Sequence, residues 1–400
     1  QQGILLSVPR SGTYVRENWE KRLLQGTLRL HRAAPEDCTR QVYSAPISQE
    51  HPELRLTWKF DRAVYEIQVS HYLLGHHSQY LDLGPIFRKL YPDPSAFFPA
   101  PFRQFLVNGK LCGIPLLFSP RIIAYNRELF KQCGVELPRP GWSWEEFLEL
   151  IRILRRNLPP ARAFRLVPSS SIWMNFFLRA GGEIMGSREE GYPILLDGEA
   201  SIAALYRLRE LWDVAGGVET SSFNYREAFL KKETAMIVGT REDAAFHNPY
   251  PWKCVPLPLI PGGRECVRIG GDLFCVRRIV NDFHLVRKLL GYLFSPQLQD
   301  RLGALGYGIP IRRSSAIRSF DEHDPRDMVF LAEMAKIRPL NHFAWPELQT
   351  LINHALPHIW LSRESPEATA GELAAVLRAV IRFEHNPFYQ RKENSHDRKF

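Results

Sequence analysis

Among 13 histidines and six cysteines, the pairs whose spacing would permit chemistry are few. His76 and His77 are adjacent, and neighbours on a strand point to opposite faces, so they read as part of a solvated polar loop. His354 and His358 stand four residues apart, a spacing that puts two imidazoles on one helix face for a metal. Pro357 interrupts that helix, and no metal or cofactor is expected. Cys38, Cys112, Cys133, Cys254, Cys266 and Cys275 lie far apart, mostly in apolar or strand-like segments such as Lys110-Leu111-Cys112-Gly113-Ile114-Pro115. None forms the close Cys-x-x-Cys pair of zinc or redox sites, so reduced thiols buried in a cytoplasmic protein are expected. The chain has no Gly-x-Ser-x-Gly elbow, no Gly-x-x-x-x-Gly-Lys-Ser/Thr phosphate loop and no His-Glu-x-x-His helix. The reading is a binding protein and not an enzyme.

The elements that must position a binding site follow from length and pattern. With 400 residues and 45% hydrophobic composition, the chain exceeds what one core normally organises, so two domains are expected. Lys and Arg number 52 against 43 Asp and Glu, but the excess is spread along the chain, as on an ordinary basic surface. No run of 18 apolar residues occurs, so no membrane span is expected. The start, Gln1-Gln2-Gly3-Ile4-Leu5-Leu6, lacks an initiator Met and a basic-then-apolar leader; the expectation is a removed signal or a fragment.

Residues 1–16 read as a hairpin with two β-rich runs around Pro9-Arg10-Ser11-Gly12. Residues 17–25 read as a connecting helix. Strand-like alternation follows at Gly26–His31, Glu53–Phe60 and Val64–Val69. Strands separated by helical stretches imply a doubly wound parallel sheet, which binds ligands beyond the carboxyl ends of its strands. Pro140-Gly141-Trp142-Ser143-Trp144-Glu145-Glu146-Phe147 contains a capping box, with Ser143 as cap and Glu146 reaching back. Residues 386–400 read as a polar, frayed tail.

Two resemblances attach to these segments. The run Gly3-Ile4-Leu5-Leu6-Ser7-Val8-Pro9-Arg10-Ser11-Gly12-Thr13-Tyr14-Val15 resembles the wing that ends the winged helix-turn-helix of GntR-family transcription regulators. It implies DNA contacts from Arg10 and Arg16, but the recognition helix that precedes such a wing is absent from the chain. From residue 26 to about 383 the order of motifs resembles family 1 extracellular solute-binding proteins, the maltose-binding-like group. The carriers are Asn108-Gly109-Lys110-Leu111-Cys112-Gly113-Ile114-Pro115, Tyr125-Asn126-Arg127-Glu128-Leu129-Phe130, the capping-box segment, Ala180-Gly181-Gly182 with Asp197, Phe229–Gly239, Gly270-Gly271-Asp272, Gly308-Ile309-Pro310 and Trp345-Pro346-Glu347-Leu348. One departure is that Phe60-Asp61 runs almost directly into the third strand, where the family places a helix.

The second resemblance implies an α/β, two-lobed, periplasmic-binding-protein-like fold of type II, each lobe a mainly parallel sheet flanked by helices. Lobe 1 is placed at about 26–118 and 270–316, and lobe 2 at about 121–267 and 320–385, with a ligand cleft between them. It implies polar ligand contacts from Ser119 and Arg121, an aromatic platform at Trp173, and a stacking position occupied by Arg241, which would favour an acidic or strongly hydroxylated ligand. Asp272, Tyr307 and Trp345 complete the expected ligand set. Together the resemblances predict a cytoplasmic GntR-type regulator, with wings related by a homodimer, whose effector domain closes on a sugar or sugar acid. The alternative is a periplasmic or extracellular sugar-binding protein of an ABC importer.

Overall fold

The computed structural model describes residues 5–8, 12–15, 24–30, 43–57, 63–69, 79–107, 109–187, 190–217, 225–243, 252–338 and 346–384. The chain divides into two compact units: unit 1 is Gln1–Phe118 with Gly271–Ser319, and unit 2 is Ser119–Gly270 with Phe320–Phe400. The chain therefore passes between them three times, at 118/119, 270/271 and 319/320.

In unit 1 the strands β1 (Leu5–Val8) and β2 (Gly12–Val15) pair antiparallel, Leu5 opposite Val15 and Val8 opposite Gly12. They form the hairpin that the turn chemistry predicts. β3 (Leu24–Leu30) begins inside the stretch expected to be a connecting helix. Alternating apolar residues extend the strand back past Gly26, whose φ of +77° lies in the left-handed region, and the register shifts between Leu24 and Leu28. A glycine there admits the irregularity that a side chain would resist.

β4 (Arg55–Thr57) and β5 (Ala63–Val69) each pair parallel with β3. The short β6 (Leu106–Val107) and β7 (Lys110–Leu111) form a separate ribbon. β8 (Ile114–Pro120) is buried along its whole length and passes into unit 2. There, β9 (Ile122–Asn126) pairs antiparallel with both β10 (Met236–Gly239) and β11 (Trp252–Val255). β12 (Ile269–Val276) returns to unit 1 and runs antiparallel to β5, while β13 (Ile309–Pro310) runs antiparallel to β8. The six-stranded order is β13-β8-β12-β5-β3-β4.

The fold is α/β as expected, but its sheets are mixed and not mainly parallel. The ladders of β3 with β4 and β5 are parallel, those of β12 with β5 and of β13 with β8 are antiparallel, and the described sheet of unit 2 is antiparallel throughout. A strand that enters from another unit is free of the local crossover that makes sequential strands parallel.

Polar groups as well as apolar packing hold these layers. Glu66, fully buried on β5, accepts from Arg29 Nη2 (3.0 Å), Tyr80 Oη (2.6 Å) and Arg277 Nε (2.9 Å). Three donors compensate a carboxylate that would otherwise be costly to desolvate. In unit 2, Ser143 Oγ accepts from the Glu146 amide (3.1 Å) and the Ser143 amide donates to Glu146 Oε2 (2.6 Å), completing the capping box. That cap starts the helix Trp144–Asn157, which buries Trp144, Phe147, Leu148, Ile151 and Leu154 at helical spacing. Phe147 stacks on Phe176 from the helix Ser170–Arg179, centroids 5.7 Å apart.

Cys112, Cys254, Cys266 and Cys275 are buried and unpaired, and burial pushes each thiol pKa up. They are inert packing groups. Cys38, like His76 and His77, lies outside the described residues. The helix Pro346–Ala355 stops before Pro357, and His358 Nδ1 pairs with Ser362 Oγ (3.1 Å), so His354 and His358 stand on different helices. Among the described residues no group of three or more His, Cys, Asp or Glu is placed to hold a metal.

Candidate ligand-binding site

The first crossing places two of the expected ligand residues within three positions of each other. A proline at 120 removes one backbone donor, and the buried Ser119 hydroxyl on its N-terminal side donates to the Pro120 carbonyl (3.2 Å) while accepting from the Arg241 amide (3.0 Å). Arg121, 9% exposed, directs Nη1 to Asp243 Oδ2 at 3.2 Å. The same carboxylate oxygen accepts from the Thr240 amide (3.0 Å) and hydroxyl (3.1 Å), so the turn after β10 fixes the acid that orients Arg121. Ser119, Arg121 and Arg241 thus meet on unit 2.

The Arg241 side chain is committed inward. Its Nη1 lies 2.6 Å from Asp327 Oδ1, with side-chain exposures of 1% and 3%. The guanidinium carbon sits 5.3 Å from the Phe320 ring centroid and 5.4 Å from that of Phe330. Burial pulls its pKa down, against the opposing pull of Asp327, and burial holds the Asp327 carboxyl above its ordinary value despite Arg241. The stacking role expected at this position is realised on internal rings. Trp173 is likewise fully buried, edge-on to Trp360 (5.6 Å) and Phe177 (6.2 Å), with no acceptor for its indole N–H among the described residues.

The remaining candidates separate. Asp272 on β12 belongs to unit 1, where it is 7% exposed and accepts from Tyr43 Oη at 2.8 Å. Burial raises its pKa to about 6, against the lowering effect of the Tyr43 hydrogen bond. Its position depends on Gly271, since a Cβ there would lie 2.1 Å from the Leu117 carbonyl oxygen. Tyr307, half-buried, also belongs to unit 1. Trp345, Arg10 and Arg16 lie outside the described residues.

The profile of the bacterial extracellular solute-binding protein family matches residues 79–300. The chain belongs to that family. The maltodextrin-binding protein MdxE of Bacillus subtilis (strain 168) is 24% identical over 231 residues, 55% of this chain and 53% of the relative, so the match spans about half the length of that curated relative. The substrate-binding protein Lmo0181 of Listeria monocytogenes, solved with cycloalternan, superposes with a TM-score of 0.73 at 13% identity over 89% of this chain and 98% of that one. UgpB of Mycobacterium tuberculosis, solved with glycerophosphocholine, does so at 0.71 and 16% identity over 90% and 99%. These likenesses establish the two-lobed binding-protein fold.

Membership in an extracellular solute-binding family overturns two expectations, the GntR-type regulator and the cytoplasmic location. The wing resemblance rested on a dozen residues, and a short hairpin with a basic turn is a generic element that many folds use. Neither DNA nor a homodimer partner finds support in the comparisons.

Three residues that contact or adjoin these candidates were not singled out from sequence. Arg268, immediately before β12, donates from Nη1 to the Ser170 carbonyl (2.5 Å), and its amide donates to Asn175 Oδ1 (3.1 Å). A charged residue between apolar Val267 and Ile269 was the available signal. Asp243 and Tyr43 carried none, because each acts through a partner distant in sequence.

Proposed function

We propose that this chain captures a hydroxylated small molecule of carbohydrate type outside the cytoplasm and presents it to an ABC importer. The observation that carries the reading is the family match across residues 79–300. It is supported by relatives whose names record maltodextrin binding and whose structures hold cycloalternan or glycerophosphocholine.

In this reading Arg121 and Asp272, each beside one of the three crossings between units, supply polar contacts. Tyr307 offers a ring face to apolar C–H surface. Ser119 holds the Arg241 backbone, and the side chains of Arg241 and Trp173 are enclosed. A buried donor or acceptor deprived of its ligand partner loses about 1–3 kcal/mol, so a few such groups suffice for selectivity.

Thermal unfolding of the purified chain against a panel of oligosaccharides, sugar acids, polyols and glycerophosphodiesters tests the reading. A cognate ligand at 100 times its dissociation constant adds about 2.7 kcal/mol, a rise of roughly 5–11 °C for a unit of this size. A panel in which no compound moves the transition refutes it.

A further inference from the structure

Resting on the solute-binding reading, we infer that Asp243 sets the charge of the ligand. Paired with Arg121 on unit 2, it leaves a site for an uncharged oxygen, the hydroxyl or ether of a neutral sugar or polyol, and turns away carboxylates and phosphates. Arg121 is 9% exposed, and its Nη1 lies 3.2 Å from Asp243 Oδ2. Its Nε and Nη2 have no hydrogen-bond acceptor among the described residues. Gly270 keeps the neighbouring backbone bare: a Cβ there would stand 3.6 Å from Arg121 Nη2. The charge of this guanidinium is answered within the protein, and two of its donor nitrogens are not.

Asp243 is not free to give way. The oxygen that meets Arg121 also accepts from the Thr240 amide (3.0 Å) and hydroxyl (3.1 Å), and the Asp243 amide donates to Thr240 Oγ1 (3.3 Å). Gly239 admits the acid, since a Cβ there would stand 3.0 Å from Asp243 Cβ. The paired side chains are only 11% and 14% exposed, so a third charge brought beside them is weakly screened. An anion at Arg121 would either sit against Asp243 and repel it, or displace it from Arg121 and from the turn that holds it. A neutral oxygen takes the two remaining nitrogens without that conflict, and a buried donor that gains an acceptor recovers the cost of its desolvation. Arg268, whose carbonyl accepts the Arg121 amide, directs its own Nη1 to the Ser170 carbonyl (2.5 Å).

Isothermal titration of the full chain decides the matter with matched probes, maltose against digalacturonate and glycerol against glycerol 3-phosphate. The expected result is that the neutral member of one pair binds about tenfold or more tightly than its anionic counterpart. Asp243→Asn keeps an acceptor for Thr240 but uncovers the charge of Arg121, and should narrow that ratio by about tenfold by raising the anionic affinity. Arg121→Gln leaves the acid unmatched and should move the ratio the opposite way, while weakening the neutral probe; it decides the outcome if Asp243→Asn fails to fold. Opposite shifts in the two variants are not what a merely structural pair would give. An anionic probe that binds as tightly as its neutral counterpart, or a folded Asp243→Asn with an unchanged ratio, overturns the inference and leaves the solute-binding reading standing. If none of the four probes binds, the thermal panel decides: a neutral oligosaccharide or polyol as the hit supports the inference and replaces the probe, and a sugar acid or glycerophosphodiester overturns it alone. A panel without a hit overturns both.

Discussion

Removing the charge of Asp327 strands a guanidinium in the interior of unit 2, and the consequence can be worked out from the geometry. Asp327→Asn keeps an acceptor for the Asp321 amide, now at 2.9 Å, and deletes only the negative charge 2.6 Å from Arg241. Breaking a buried ion pair by removing one partner costs about 3–5 kcal/mol. Asp324 also acts favourably on Arg241, which places the expected loss near the lower end, about 3 kcal/mol.

For a unit of this size that is a fall of roughly 6–12 °C in the melting temperature. The pair itself is not a net source of stability. Replacing both partners by apolar groups, Arg241→Met with Asp327→Leu, should therefore cost less than Asp327→Asn alone, because no charge is left behind. Urea unfolding followed by tryptophan fluorescence and circular dichroism measures all three proteins. A loss under about 1 kcal/mol in Asp327→Asn, or a double variant as damaging as the summed single ones, refutes this account.

Other consequences are as direct. A carboxyl displaced from 3.8 to about 6 by burial, as in Asp272, destabilises the fold by about 3 kcal/mol once ionised. That contribution is present below the unfolded value and lost between roughly pH 4 and pH 6, so the stability difference between the wild type and Asp272→Asn should change across that window; a difference that is flat with pH contradicts it. Gly271→Ala would set a methyl 2.1 Å from the Leu117 carbonyl oxygen and should cost about 3 kcal/mol, because backbone must move; an unchanged melting temperature removes the argument. Ser143→Ala deletes the cap hydrogen bond to Glu146 and should lower stability by about 1 kcal/mol, which calorimetry of the variant would detect.

What could be read from sequence was local. The Ser143 to Glu146 capping box is written in four residues and forms as written. The alternating strands at β3, β4 and β5 are likewise short-range patterns, and β3 pairs with both of the others. The α/β class followed from those signals and from the order of weak motifs along the chain, which also pointed to the solute-binding family. The same locality misled at the hairpin, where a dozen residues resembled a regulator's wing.

Tertiary structure decided where each charge is spent. Arg241 looked like a ligand residue and is paired internally with Asp327. Asp272 meets Tyr43 across 229 positions, and Arg268 joins Arg121 because a strand returning from a different segment lays its carbonyl beside that amide. A side chain's type fixes what it can bind, but its partner is chosen by chain crossings that bring remote segments together, and no local spacing encodes those distances.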